Sequence, residues 1–175
     1  MVSVSNENIG PLIAYLVPGA TVLLGVSNFS PTLQSWFAAT PTEAPTIGGF
    51  LYLTVASLGV GMTVSAVRWA TVDQLHARTG LKIPKRDFSK LGPNIEAFQF
   101  LIRIHYEHYQ FYANMVVGMA VAYACYRFRT GGVLPLGWPD LGFALLEAIF
   151  FITSRDTLRN YCDRTRQLLS GRSGG

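Results

Sequence analysis

The sequence predicts an all-α membrane protein, a polytopic helical bundle of about four transmembrane helices in a single domain over residues 1–175. Several apolar stretches are long enough to cross a hydrocarbon core of about 30 Å as helices. Hydrophobic residues make up 50% of the chain and charged residues 14%, against about a quarter charged in a soluble domain. The first 67 residues contain no lysine or arginine, and positive charge collects on the cytoplasmic side of membrane spans. We therefore expect a multi-pass membrane protein with both termini in the cytoplasm.

Two apolar segments precede the first basic residue. Span one is predicted over residues 10–26, where Pro18 should kink the helix. Span two is predicted over residues 47–70. The segment between these spans contains the aromatic pair Trp36 and Phe37 and is placed outside the cell. Small residues recur every four positions on span two and form a ridge that lets another helix approach closely: Ser57, Gly61 and Ser65.

Residues 71–108 are predicted to form a cytoplasmic connection, because basic residues outnumber acidic ones there. Asn94 should cap a helix that continues to the end of span three. Such a helix is roughly 50 Å long, more than a bilayer requires, so its first part should project into the cytoplasm. The membrane part, span three, is placed at residues 109–128, where Gly118 and Ala122 offer a second close-packing face.

Span four is predicted over residues 133–153, and its helix proper should begin near Leu141, after two prolines. Arg127 and Arg129 then lie in the outer turn before it, against the positive-inside rule. If the proline-containing start of this span re-enters the membrane instead of crossing it, the tail changes side. The tail, residues 154–170, places apolar residues opposite arginines and is predicted to be an amphipathic helix. It should lie on the inner leaflet or pack against the start of span three.

An ionisable side chain inside a membrane span is costly and is therefore a functional candidate. Counted from the cytoplasmic ends, Arg68, Asn114 and Glu147 fall at a similar depth in spans two, three and four. We expect them to form one intramembrane polar cluster. The cluster either braces the bundle through hydrogen bonds and an ion pair, or lines a path for an ion or a proton.

A second group of residues marks the point where span three enters the membrane. His105, His108, Tyr109 and Tyr112 share one face of a regular α-helix. A zinc site needs three or four ligands, and neither cysteine has a route to these histidines, so no metal and no cofactor are predicted. We expect an interfacial belt of aromatic and histidine side chains at the headgroup level, in which the histidines can sense pH.

The spacing of Arg103 and His108 resembles the arginine, four residues, histidine pattern of HEPN ribonucleases, in which the pair acts on RNA across a dimer interface. The resemblance implies that these two residues are catalytic candidates. The chain departs from the pattern at Ile104, where a polar residue is usual. Five positions on a continuous α-helix also separate two side chains by about 140°. We therefore expect no enzymatic activity, and keep a membrane-tethered HEPN-like ribonuclease as an alternative.

The chain also resembles the small multi-span accessory membrane proteins of bacterial antiviral defence loci, among them RNA-targeting CRISPR loci. The likeness covers the small size, the four spans, residues 105–112 with the following Ala113, Asn114 and Met115, and the tail segment 155–161. Members of that group act at the membrane, some as oligomeric pores and some with a HEPN-like pattern. The resemblance therefore implies a place in the bacterial inner (plasma) membrane and a role in defence.

These features favour a self-associating membrane effector or pore-like accessory component, assembled through the small-residue ridges on spans two and three. A passive anchor that recruits a cytoplasmic enzyme through its basic loop and tail is the main alternative. The expected partners are the lipid bilayer, further copies of the chain and a cytoplasmic protein. Orientation in the membrane accounts for the net charge of +4, so nucleic acid is not an expected partner.

Overall fold

A computed structural model describes residues 9–37, 47–81, 95–131 and 136–169, and all of its regular elements are helices. In chain order they are α1 (Ile9–Ser27), α2 (Pro31–Phe37), α3 (Ile47–Ala70), α4 (Val72–Arg78), α5 (Ile95–Leu101), a π turn (Ile102–Tyr106), α6 (Glu107–Arg129) and α7 (Trp138–Leu169). The predicted all-α class is confirmed for these residues, and α1 and α3 match the helices predicted for spans one and two. The predicted cap Asn94 and residues 133–135 of span four lie outside the described residues.

The first helix, α1, packs against both α3 and α6. On the α3 side, Ser57 and Gly61 are buried and Ser65 is half-buried. A methyl group added to Gly61 would overlap the carbonyl oxygen of Tyr15, and one added to Gly19 would overlap that of Ser57. The two helix backbones are therefore close enough that only hydrogen fits between them at the glycines.

The second small-residue face, formed by Gly118 and Ala122 on α6, also packs on α1. A Cβ atom built on Gly118 would lie 3.1 Å from the carbonyl oxygen of Pro18, and one built on Gly25 would lie 2.6 Å from the Cα of Ala122. Both ridges predicted to join separate copies thus contact α1 within one chain. Within one chain α1 occupies these faces, because it carries matching glycines and its covalent link keeps it at a high effective concentration.

A hydrogen bond between helices compensates for the proline in α1. Pro18 has no backbone N–H, so the carbonyl of Ala14, four residues earlier, lacks its helical donor. The side-chain amide of Asn114 on α6 donates to that carbonyl oxygen at 2.9 Å. Ala14, Pro18 and Asn114 are all buried, so this bond satisfies a carbonyl that water does not reach.

The predicted fourth span and the predicted amphipathic tail form one helix, α7, of 32 residues. It begins at Trp138, three residues before the predicted start, and no glycine or proline interrupts it around residues 153 and 154. The helix packs on α5, the π turn and α6, and its C-terminal half contributes to this packing. There the ring of Tyr161 lies 5.3 Å from that of Tyr106, and Leu158 and Cys162 join the core. Of the two predicted positions for the tail, the described residues thus show the one against the start of the third long helix.

Large apolar side chains cover much of the outer surface of the bundle. By length and composition, one helical stretch among the described residues, Ile47–Arg78, which comprises α3 and α4, is long and apolar enough to cross a membrane, and only 17% of its most apolar window is buried. A shorter apolar run, Leu12–Ser27, lies in α1. The helix α7 is long enough, but Asp140 and Glu147 within it lower its hydropathy. The predicted bundle is confirmed as helical, whereas the predicted count of four spans is not.

Candidate functional site

A buried charged network lies where α3 turns into α4. Arg68, in the last turn of α3, is 5% exposed, and its Nε lies 3.8 Å from Oδ1 of Asp73. The hydroxyl of Tyr109 on α6 donates a hydrogen bond to the same carboxylate oxygen. The guanidinium carbon of Arg68 lies 5.3 Å from the centroid of the Tyr109 ring, a cation–π distance. These three side chains join α3, α4 and α6.

A buried histidine extends the network to α7. His76 Nε2 lies 3.1 Å from the hydroxyl oxygen of Ser154, and both residues are fully buried. The ring of Phe151 lies 5.0 Å from the imidazole. Burial lowers the pKa of His76, the nearby positive charge of Arg155 lowers it further, and the carboxylate of Asp73 opposes both effects. The imidazole is therefore neutral at physiological pH, and its contacts tie α4 to α7.

The three residues predicted as one intramembrane cluster are separated. Arg68 belongs to the charged network with Asp73, whereas Asn114 bonds the backbone of α1. Glu147 on α7 is half-buried, and within the described part of the chain it has no hydrogen-bond or ion-pair partner. No such contact joins any two of the three among the described residues. Arg68 and Asn114 thus bond different partners, a local carboxylate and a proline-exposed carbonyl, and the single cluster stays a prediction.

The predicted belt of His105, His108, Tyr109 and Tyr112 is divided between the interior and the surface. Tyr109 is 2% exposed and points to Asp73, whereas His108 is exposed. His108 and Tyr112 line a cavity of about 230 Å³ between α6 and the start of α1. The shared face was predicted for a regular α-helix. The π turn over Ile102–Tyr106 rotates His105 around the helix axis relative to His108, Tyr109 and Tyr112.

His105 is half-buried inside the π turn. Burial lowers its pKa, the positive charges of Arg164 and His108 lower it further, and Asp156 opposes them. Two of these charged residues, Arg164 and Asp156, belong to α7. The protonation of His105 is therefore linked to the packing of α7 on the π turn. This link gives a physical basis to the predicted pH sensitivity of the histidine.

Glu107 follows the π turn and lies against the first turn of α1. A Cβ atom added to Gly10 would overlap the Glu107 carboxylate, and a negative charge next to a helix N-terminus is favourable. Burial raises the pKa of Glu107, and the nearby Arg103 and His108 oppose that shift. The cavity beside α1 therefore has an acidic and a basic side chain at its edge.

The π turn also changes the geometry of the predicted ribonuclease pair. The backbone N–H of Glu107 donates to the carbonyl of Ile102, five residues earlier. Because a π turn contains one extra residue, two side chains five positions apart are separated by only about 40° around the helix axis. This is roughly the angle between side chains four positions apart on a regular α-helix. Arg103 and His108 are both exposed. The membrane-tethered ribonuclease stays an alternative, and it would be excluded if the Arg103→Ala and His108→Ala variants kept the full activity of the protein in cells.

A second ion pair neutralises charge at the opposite end of the bundle. Arg127 Nη1 lies 3.0 Å from Oδ1 of Asp140, and the Tyr123 hydroxyl donates to the same oxygen at 2.9 Å. The backbone N–H of Gly137 donates to the other carboxylate oxygen. Asp140 is 9% exposed. This pairing explains how an arginine can occupy the predicted outer turn, while Arg129 donates to Asn28 at 2.6 Å.

Several residues of these two sites were not predicted as site residues from the sequence, among them Asp73, His76, Tyr123, Asp140 and Ser154. The segment that contains Asp73 and His76 was interpreted as a polar connection, in which Asp73 counted only toward net charge. The signal that could have found them is the helical spacing of Val72 and His76, both of which are buried on α4. Asp140 was interpreted only as part of the start of span four, which follows Pro135 and Pro139.

No group of three histidine, cysteine, aspartate or glutamate residues that could hold a metal ion occurs within the described parts of the chain. The candidate site therefore consists of ion pairs and hydrogen bonds between helices. Comparison of the chain with protein-family models, curated proteins and solved structures finds no match.

Proposed function

We propose that this protein is integral to a bacterial inner membrane, which it crosses with α1, α3, α6 and α7. The observation that carries the proposal is the inverted distribution of polar and apolar side chains. Large apolar residues such as Phe50, Val55 and Ile152 are more than 60% exposed, whereas His76 and Asn114 are fully buried. A soluble protein that exposes so much contiguous apolar surface would aggregate, whereas hydrocarbon is the solvent that this surface suits.

The distribution of charge supports an orientation with both chain ends in the cytoplasm. The end of the bundle that contains α4 and the second half of α7 carries several arginines. At the other end, Asp140 neutralises Arg127. Because cytoplasmic segments retain an excess of positive charge, the arginine-rich end is assigned to the cytoplasm.

We further propose that the protein is an accessory membrane component that presents a fixed basic surface to a cytoplasmic partner. This surface, the basic platform, is formed by α4 and by α7 from Arg155 to Arg166. The contacts of Arg68 with Asp73 and of His76 with Ser154 hold α4 and α7 against the bundle. The resemblance to accessory proteins of bacterial defence loci suggests an antiviral pathway for this partner.

Insertion and orientation can be tested together in cells. Alkaline carbonate should leave the protein in the membrane pellet. After replacement of both native cysteines by alanine, Thr130→Cys should react with a membrane-impermeant maleimide in spheroplasts, and Gln74→Cys should react only after lysis. Both positions are exposed. Extraction by carbonate would exclude the proposal, as would labelling of both positions from the same side.

A pore-like assembly is the second candidate, and one observation favours it. Glu147 has no polar partner among the described residues, and Leu145, Leu146 and Ile149 around it are exposed. An ionisable group at membrane depth is costly unless it is paired or faces water, and a second copy of the chain would supply either condition. The two predicted ridges are already covered by α1, so assembly would use α7.

The pore-like assembly predicts both an oligomeric mass in detergent and leakage of dye from loaded liposomes. Glu147→Gln should alter the leakage, whereas the exposed Glu96→Gln on α5 is the matched control and should not. A monomer that leaves liposomes sealed would exclude this candidate. The basic platform proposal would be unaffected by that result.

A further inference from the structure

A cavity of about 300 Å³ lies between the end of α4 and the outward face of α7. Its polar lining includes Thr79 from the end of α4 and Asp163 and three arginines from α7. The arginines are Arg155, Arg159 and Arg166. Their spacing of four and seven residues places them along one side of the helix. The cavity therefore has a basic wall supplied by a single continuous helix.

One arginine of this wall is held in place. Arg155 Nη1 lies 2.5 Å from the Thr79 hydroxyl oxygen, and Arg155 Nη2 donates to the Thr79 carbonyl oxygen at 2.9 Å. This carbonyl belongs to the C-cap of α4, where a positive charge is favourable. The contact fixes the guanidinium at the edge of the cavity before any ligand arrives.

The other two arginines are only weakly neutralised. The same carboxylate, Asp163, lies 3.9 Å from Arg159 and 3.7 Å from Arg166, and both arginine side chains are more than 60% exposed. These distances exceed those of a charge-assisted hydrogen bond. Three guanidinium groups against one carboxylate leave a formal charge of +2 around the cavity.

We propose that this cavity binds a phosphate monoester. A guanidinium matches two phosphate oxygens with parallel N–H donors, and a phosphate monoester carries a charge of about −1.5 to −2 at neutral pH, which complements the formal charge of the cavity. A volume of about 300 Å³ is at the lower limit of small-molecule sites. The site therefore suits one phosphate group with a small substituent, either on a soluble metabolite or on a lipid such as phosphatidic acid. The inference rests on the proposed function only in assigning the cavity to the cytoplasmic side.

The test uses the full chain purified in detergent and titrated with inorganic phosphate at constant ionic strength, with binding measured by calorimetry. The double variant Arg159→Gln and Arg166→Gln should weaken binding at least about tenfold, since it removes two charge-assisted donors. The matched control is Arg164→Gln, which removes an exposed arginine of the same helix that does not line the cavity. Asp163→Asn should tighten binding, because it removes the competing carboxylate.

A second arm distinguishes the two sources of phosphate. The protein is placed in phosphatidylcholine nanodiscs with or without phosphatidic acid. If inorganic phosphate binds equally in both, the site takes a soluble ligand. If phosphatidic acid blocks phosphate binding, and the double variant removes this block, the site takes a lipid headgroup. Both results support a phosphate site.

The proposal is overturned if neither inorganic phosphate nor phosphatidic acid binds, or if Arg164→Gln weakens binding as much as the double variant. Either result would leave carbonate extraction and cysteine labelling unchanged. Failure of the phosphate site is therefore distinguishable from failure of the membrane assignment.

Discussion

Replacing Asn114 with alanine should destabilise the bundle by an amount that depends on residue 18. In the native chain, Asn114 donates to the Ala14 carbonyl at 2.9 Å, and Pro18 is the reason that this carbonyl lacks a helical donor. The single substitution leaves a buried carbonyl unpaired, which costs about 1–3 kcal/mol. It also leaves a small cavity, which adds to the loss.

The dependence is resolved by a double-mutant cycle. Pro18→Ala restores a backbone N–H that can bond the Ala14 carbonyl, so Asn114→Ala should cost less in that background. Hydrogen bonds between membrane helices contribute about 0.6 kcal/mol on average and up to about 1.7 kcal/mol. We expect a coupling of about 1 kcal/mol, a change of roughly fivefold in the unfolding equilibrium. The cavity left by Asn114→Ala contributes to both backgrounds and largely cancels.

The assay is unfolding in mixed micelles with increasing dodecyl sulfate, followed by circular dichroism. Asn160→Ala is the matched control, because Asn160 is exposed on α7 and bonds only its neighbour Asp156 within the described residues. Its cost should be small and independent of residue 18. Equal costs for Asn114→Ala in both backgrounds, within about 0.3 kcal/mol, would refute the compensation of proline by asparagine.

Three further outcomes follow from the packing and the charges. Gly61→Ala should cost about 2 kcal/mol or more of unfolding free energy, because the added methyl group overlaps the α1 backbone. Gly59 has open space around it, so Gly59→Ala should change the unfolding free energy by less than about 1 kcal/mol. The same unfolding assay checks both variants. Asp140→Ala should destabilise the bundle, because it leaves the half-buried Arg127 without its carboxylate, and the double alanine variant should recover at least half of that loss. Because burial places the folded-state pKa of His76 below its ordinary 6.5, the unfolded chain takes up the proton first as the pH falls. Stability should therefore hold above about pH 6.5 and decline below it, and His76→Phe should reduce the slope of unfolding midpoint against pH.

The positions of the helices were accessible from the sequence because long apolar runs and their boundaries are local features. The predicted bounds of spans one and two agree closely with α1 and α3, and the spacing of small residues indicated Ser57, Gly61 and Gly118 as packing residues. The spacing does not identify the helix that packs against them, because it reports the width of a contact and not the facing helix. For the same reason the ridges were assigned to a second copy instead of α1.

The polar sites were harder to predict, for reasons that are visible at individual residues. Arg68 found its carboxylate five positions later, at Asp73, in a segment where a short helix was not predicted. The π turn over Ile102–Tyr106 changes the phase of His105 relative to Tyr109 and Tyr112, and the sequence gives no signal for this turn. Partners that depend on such local departures from regular geometry are set by tertiary packing, which periodicity does not report.

The continuity of α7 has a mechanical consequence. A helix of 32 residues without a break is a rod roughly 48 Å long, and it joins the arginine-lined cavity to the half that carries Glu147. Bending such a rod would require breaking backbone hydrogen bonds, whereas tilting it requires only sliding of side chains. A tilt of about 10° moves one end by roughly 8 Å relative to the other. A force on the arginine-rich end of α7 would therefore tilt the whole helix and displace Glu147, without local unfolding of the helix between them.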